Sequence, residues 1–163
     1  MNEAEVMAYL ELSQEHCGKI KMMIFVEGTI FKPKSIFSLY NHRTYIPIGK
    51  SADIIKAWHE EGVEIVYCTS RKKEKQVKEI ADLLKKYHFF GTKLYYREEK
   101  QKYKDIVQTV MPDFLVEDDC KSIGGSWQMC ITYVEPSIKS RIKSIVIKEF
   151  KGIDHLPKQV SRL

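Results

Sequence analysis

Strand-length apolar runs alternate along this chain with amphipathic stretches of helical period. Residues 21–31 (KMMIFVEGTIF), Val63–Cys68 and residues 114–116 are apolar runs that stop at turn-forming or acidic residues, the profile of buried strands. After the first of them, Ile54, Ile55 and Trp58 share one helical face, with Ser51 placed to cap its start and Gly62 just past its end. Over residues 73–87, Val77, Ile80, Ala81 and Leu84 recur at i, i+3, i+4 and i+7, which predicts an amphipathic helix with a basic outer face. Residues 93–97 read as a short strand, and residues 100–110 as a helix that buries Ile106, Val107 and Val110 before Pro112 stops it. Two more strands are expected at residues 128–134 and 144–150, after a Gly124-Gly125 turn and before a polar tail. Strands joined by helical crossovers favour parallel pairing, so the expected fold class is α/β: a doubly wound, Rossmann-like parallel sheet with helices on both faces.

The segment from 32 to 50 is mixed, with Pro33, Pro47, Phe37, Tyr40 and Tyr45; it has room for a short hairpin or flap and none for an inserted domain. Residues 1–20 stand apart as an N-terminal extension, helical or disordered. Residues 4–12 carry Val6, Met7, Tyr9 and Leu10 in a pattern that suits an added helix, while Met22 and Met23 stand where a later start would fall. Residues 21–163 are expected to form one domain, since a chain of 163 residues that is 44% hydrophobic can bury one core.

Composition narrows the function classes. No apolar run approaches the roughly 20 residues of a membrane helix, so no membrane partner is expected. The start, with Glu3, Glu5, Glu11 and Glu15, lacks a basic segment followed by an apolar one, which leaves the cytoplasm as the expected location. Cys17, Cys68, Cys120 and Cys130 form no C-x-x-C pair, so neither a disulfide framework nor a zinc site is expected. The net charge of +5 and the pI of about 8.9 arise from lysines spread along helices. Such a field can attract phosphate-bearing partners, although a solvated helix face is the commoner account of lysine runs.

The densest chemistry lies where the apolar run 114–116 ends in Glu117-Asp118-Asp119. Adjacent carboxylates repel one another and lose hydration on burial, so at a strand tip they point to a divalent cation, magnesium by the hardness of oxygen ligands, or to a shared proton; taken alone, the motif equally fits an acidic turn in solvent. The tips of α/β strands open into the crevice where such sheets bind ligands. An acidic first-strand tip (Glu27), a hydroxyl at the second (Thr69) and lysines ahead of the third complete a phosphotransfer-type series. His155 reads as a surface or capping residue, and Tyr95-Tyr96 as strand packing, although adjacent aromatics can also stack a base.

Over residues 22–125 this series resembles the four motifs, in order, of the haloacid-dehalogenase-like phosphohydrolases. Phe25-Val26-Glu27-Gly28-Thr29 resembles the first motif, Asp-x-Asp-Gly-Thr, with Glu27 where the family has its general acid/base aspartate. Ile65-Val66-Tyr67-Cys68-Thr69 resembles the second, whose hydroxyl holds a phosphoryl oxygen, with Ser70 and Arg71 close enough to assist. Lys104, or failing it Lys102, stands for the phosphate-neutralising lysine, and residues 112–119 for the acidic fourth motif. The resemblance implies a small capless domain with catalytic residues Glu27, Thr69 and Lys104. It implies a phosphate site of Gly28, Thr69, Ser70 and Lys104, and Mg2+ on Asp118, Asp119, Glu117 and Glu27. Some family members place the second acidic ligand where this chain has Ser122.

The departure is Phe25, at the family's nucleophilic, metal-ligating aspartate. Phenylalanine offers neither a lone pair for phosphorus nor an oxygen for the cation, and neither Ile24 nor Val26 supplies one. The expectation is therefore a magnesium and phosphate site with weak or absent phosphomonoester hydrolysis. The alternative is a binding module for a phosphorylated small molecule or a nucleic-acid end.

Overall fold

Described here are residues 8–13 and 20–163 of a computed structural model. Strands β1 (Tyr9–Glu11), β2 (Ile20–Phe25), β3 (Phe31–Lys32), β4 (Ile46–Pro47), β5 (Val63–Cys68), β6 (Lys93–Tyr95), β7 (Phe114–Asp118) and β8 (Lys143–Ile147) interleave with helices α1 (Ser51–Glu60), α2 (Glu74–Lys86), α3 (Tyr103–Val110) and α4 (Pro136–Lys139). Six strands make the main sheet in the order β1-β6-β5-β2-β7-β8, parallel except for β1, while β3 and β4 form the expected small hairpin. The α/β fold class read from the sequence is the one observed.

Strand alternation divides the core between the two faces of the sheet. Met22 and Ile24 of β2 pack with Ile65 and Tyr67 of β5 and with Ile55, Trp58, Val77, Ile80 and Leu84 of α1 and α2. Met23, pointing the other way, packs with Val66, Leu115 and Ile106 and Val107 of α3. Burying a side chain such as Trp58 or Leu84 contributes about 2 kcal/mol or more. Trp58 also satisfies its indole N–H on the Pro157 carbonyl at 2.9 Å.

Several expectations are corrected. Tyr9–Glu11 is a strand, paired antiparallel with Lys93–Tyr95, where the sequence left an added helix over 4–12, disorder or a later start open; residues 1–7 and 14–19 lie outside the described residues. The unpaired N–H and C=O groups along the edge of β6 outweigh the weak helical pattern of so short a segment. Ser51 is the first helical residue and not the cap: its hydroxyl turns back to donate to the Ile48 carbonyl at 2.5 Å. Residues 128–134 are no strand. Cys130–Tyr133 form a 3-10 turn because the Glu117 carboxylate takes the N–H groups of Cys130 and Ile131 at 2.7 and 2.9 Å, removing them from any ladder. The third helix begins at Tyr103, where the Asp105 carboxylate accepts the Lys102 N–H at 2.7 Å. No described helix is long and apolar enough to cross a membrane.

Candidate functional site

The C-terminal ends of β2, β5 and β7 open into a cavity of about 460 Å³. Its walls include Phe25, Glu27, Gly28, Arg71, Arg97 and Asp118, and its mouth is flanked by the β3–β4 hairpin through Pro33, Leu39 and Tyr45. Central parallel strands end here together because β2 pairs with both β5 and β7, which brings Phe25 level with Cys68 and Ile24 level with Val116.

The turn after β2 is set by Gly28. Its φ of +82° suits glycine, and a Cβ there would lie 2.9 Å from Asp118 Oδ1, so the backbone lies directly against the β7 carboxylate. Thr29, fully buried, donates from its hydroxyl to the same oxygen at 3.3 Å. Asp118 Oδ2 accepts the Cys120 N–H at 3.0 Å. Burial and the nearby Glu149 push the Asp118 carboxyl up, against the hydrogen bonds from Cys120 and Thr29 that favour its charge.

Glu27 faces the end of β5. Thr69 donates to its Oε1 at 2.5 Å, the Ser70 N–H to its Oε2 at 3.1 Å, and Arg71 Nε stands 3.4 Å from Oε1. Arg71 is further held by the Ser70 hydroxyl and by His42 Nε2 at 2.9 Å, which joins the hairpin to the site. Burial and the Arg71 guanidinium both depress the basicity of His42, which suits a neutral ring accepting from the arginine.

Phe25 turns edge-on to Tyr103, ring centroids 5.1 Å apart, and the Arg97 guanidinium lies 3.8 Å above the Tyr103 ring. Burial pushes the Tyr103 hydroxyl up, as it does the thiols of Cys68 and Cys130, which are chemically quiet in this setting. Cys120 is raised to about 12 by burial and by the carboxylates around it.

The sequence-derived residues are brought together unevenly. Glu27, Gly28, Ser70, Glu117 and Asp118 line the cavity, and Thr69 is buried behind Glu27. Lys104 is not among the lining residues; its ammonium lies 3.7 Å from Glu135, just ahead of α4. Lys102 precedes α3 as its cap. Glu117 is committed to the Cys130 and Ile131 N–H groups and is pushed up to about 7 by burial, with Asp118 adding to the effect. Among the described residues the set with cation-ligand spacing is Asp118, Asp119 and Glu149, each with a carboxylate oxygen within 4.8 Å of the others. Ser122 takes no part directly and instead anchors Glu149 through its N–H and hydroxyl at 2.8 and 2.7 Å.

Arg97, Tyr103 and Glu149 were missed by the sequence reading. Glu149 lies in the polar stretch after β8, about thirty residues from Asp118, and only the parallel pairing of β7 with β8 brings it back to the acidic tip. No signal in the sequence marks such a return. Arg97, two residues past the end of β6, was open to suspicion on the strand-tip rule alone.

No family model matches the chain, and no curated protein matches it. Among solved structures it is similar to a chain of the Pnkp1/Rnl/Hen1 RNA repair complex, with a TM-score of 0.56, 14% identity, and coverage of 89% of this chain and 47% of that one. A second structure of the Pnkp1/Rnl/Hen1 complex gives a TM-score of 0.55 at 13% identity, covering 83% of this chain and 49% of that one. D,D-heptose 1,7-bisphosphate phosphatase from Burkholderia thailandensis overlaps more loosely, with a TM-score of 0.47 at 10% identity, covering 82% of this chain and 94% of that one. The chain thus spans about half the length of the two RNA-repair chains, and what it shares with them is an α/β fold.

Proposed function

We propose that this protein is a haloacid-dehalogenase-like domain that binds a phosphorylated ligand in its strand-tip cavity and performs little or no phosphomonoester hydrolysis. The observation that carries the reading is Phe25. Its ring occupies the tip of the central strand against Tyr103, in a position where covalent phosphoryl transfer in the resembled family needs a carboxylate. The cavity otherwise offers what a phosphate ligand requires: guanidinium groups from Arg71 and Arg97, and a carboxylate cluster beside them.

The donor set at that cluster fits magnesium. Asp118, Asp119 and Glu149 are hard oxygen donors, and the mutual repulsion of Asp118 and Glu149 is what a divalent ion relieves. Bound there, the ion would offset ligand charge. Glu27 and Glu117, implied as ligands by the resemblance, are drawn to Thr69 and Ser70 and to the Cys130 turn respectively, and Phe25 contributes no oxygen.

The test is hydrolysis of a generic phosphomonoester with and without magnesium. The unmodified protein is expected to match the blank in both conditions. Magnesium-dependent turnover that disappears in Asp118→Asn would sink the reading. Phe25→Asp, run beside them, reports whether the rest of the site can support transfer once a nucleophile is restored.

A second reading, that the ligand is a nucleic-acid end, is favoured by the aromatics near the cavity mouth. Phe37 and Tyr40 on the hairpin and Trp127 next to Gln128 are largely exposed, and such side chains stack bases without regard to sequence. The similarity to a chain of an RNA repair complex supports the same direction. Binding of a 5′- or 3′-phosphorylated oligonucleotide that weakens steeply with salt is expected; salt-independent binding would end this reading.

A further inference from the structure

We infer that the anionic group of the ligand is received by Arg97, and not by the Thr69-Ser70-Arg71 cradle to which the sequence motif points. The inference rests on the phosphate-ligand reading above and deepens it. The cradle is already full. The Thr69 hydroxyl and the Ser70 N–H both donate to the protein's own Glu27 carboxylate, at 2.5 and 3.1 Å, and Arg71 divides its donors among Glu27, the Ser70 hydroxyl and His42. An incoming phosphate would have to evict a carboxylate that occupies the place of a phosphoryl oxygen, and like charges so close repel. Aspartate, one methylene shorter than Glu27, would reach less far towards Thr69.

Lys104, the other expected cation, is directed to Glu135. Arg97 is different. Its Nε is buried and has no hydrogen-bond partner among the described residues, an arrangement that is rare in proteins unless a ligand or water completes it. Its guanidinium carbon lies 3.8 Å from the centroid of the Tyr103 ring, a cation–π contact, and that ring is in turn met edge-on by Phe25. A flat fork held in one orientation against apolar rings suits a bidentate contact to a phosphate or carboxylate, and the low local polarity strengthens that contact. Arg97 also lines a second, more open groove with Lys72, Tyr96 and Lys100, so it stands on the border between the two.

On this view Phe25 is more than a lost nucleophile. It completes the aromatic floor that presents Arg97.

The experiment is titration of metal-free protein with inorganic phosphate, followed by backbone amide NMR shifts or calorimetry, with melting curves run on each variant. Arg97→Ala is expected to weaken phosphate binding by about tenfold or more, as loss of a charge-assisted pair does. Arg97→Lys, which keeps the charge and loses the plane, is expected to fall between the two. Glu27→Gln is expected to change affinity less than Arg97→Ala does. Unchanged phosphate affinity in a folded Arg97→Ala protein overturns the inference, and so does a gain above tenfold in Glu27→Gln, which would locate the anion in the cradle. Should Arg97→Ala fail to fold, the neutral Arg97→Gln carries the same test with the same outcomes. If the unmodified protein binds no phosphate, this inference falls together with the functional reading; if it binds and the folded Arg97 variants bind with the same affinity, the inference alone falls.

Discussion

The tips of β2 and β7 lie side by side in the sheet, open into one cavity, and have opposite chemistry. β7 ends in Glu117, Asp118 and Asp119, every one engaged by backbone N–H groups: Cys130 and Ile131 on Glu117, Cys120 on Asp118, Lys121 and Glu149 on Asp119. β2 ends in Phe25, held by an edge contact with Tyr103, and the one carboxylate that follows, Glu27, is taken by the neighbouring strand tip. One tip is a network of acids, two of them buried, tied to the backbone of the segment after β7. The other is an aromatic surface. Adjacent strand tips can therefore carry opposite chemistry into one cavity, because each is stabilised by its own contacts.

Replacing Glu117 with alanine tests the polar half most severely. Two buried N–H groups would be left without acceptors, and a loss of about 3 kcal/mol is expected in urea denaturation. A loss under about 1 kcal/mol would mean that the Cys130 turn does not depend on this acid.

Titration of the same residue sharpens the contrast. Its folded pKa of about 7 exceeds the ordinary 4.5, so the folded state holds the proton more tightly than the unfolded chain. That contribution to stability is complete below about pH 4.5 and is lost as pH rises through about 7, a change on the order of 3 kcal/mol in metal-free buffer. Glu117→Gln should flatten this part of the stability profile. Identical profiles for the two proteins would show that the raised pKa is not there.

Gly28→Ala probes the point where the halves touch. The added Cβ meets Asp118 Oδ1 at 2.9 Å and the φ of +82° is unfavourable to alanine, so a destabilisation of about 2 kcal/mol is expected by thermal melting. Magnesium binding, followed by calorimetry, is expected to be weak and to vanish in Glu149→Gln. Phe25→Asp, by returning an oxygen to the β2 tip, should tighten it about tenfold, or about 1.4 kcal/mol. Tight binding by the unmodified protein would break the division between the tips. The smallest effect is assigned to Lys104→Ala, which removes a partly exposed pair and should change stability by at most about 0.5 kcal/mol and leave phosphate affinity unaltered.

Much of this molecule was legible in its sequence, and the reasons are local. Val63–Cys68 was read at its observed limits, and the helix over 73–87 within a residue at each end, because burial on both faces and the 3.6-residue period leave unambiguous patterns. That the tip of β2 carries an aromatic ring and no carboxylate at Phe25 was visible in a single residue type. What went astray depended on partners distant in the chain. The pattern over 128–134 looks like a strand until Glu117 claims its N–H groups, and the start of the chain looks helical until the free edge of β6 claims Tyr9–Glu11.

The sequence by itself determined which chemical groups are available and which strands and helices carry them, since residue type and hydrophobic period are properties of neighbours along the chain. Only the tertiary structure decided their employment. It turned Glu27 to the cradle, sent Lys104 out to Glu135, returned Glu149 to the acidic tip and stacked Arg97 over Tyr103. These outcomes depend on distances across the sheet of a few ångströms, on which both hydrogen bonding and charge interactions turn, and spacing along the chain does not encode them.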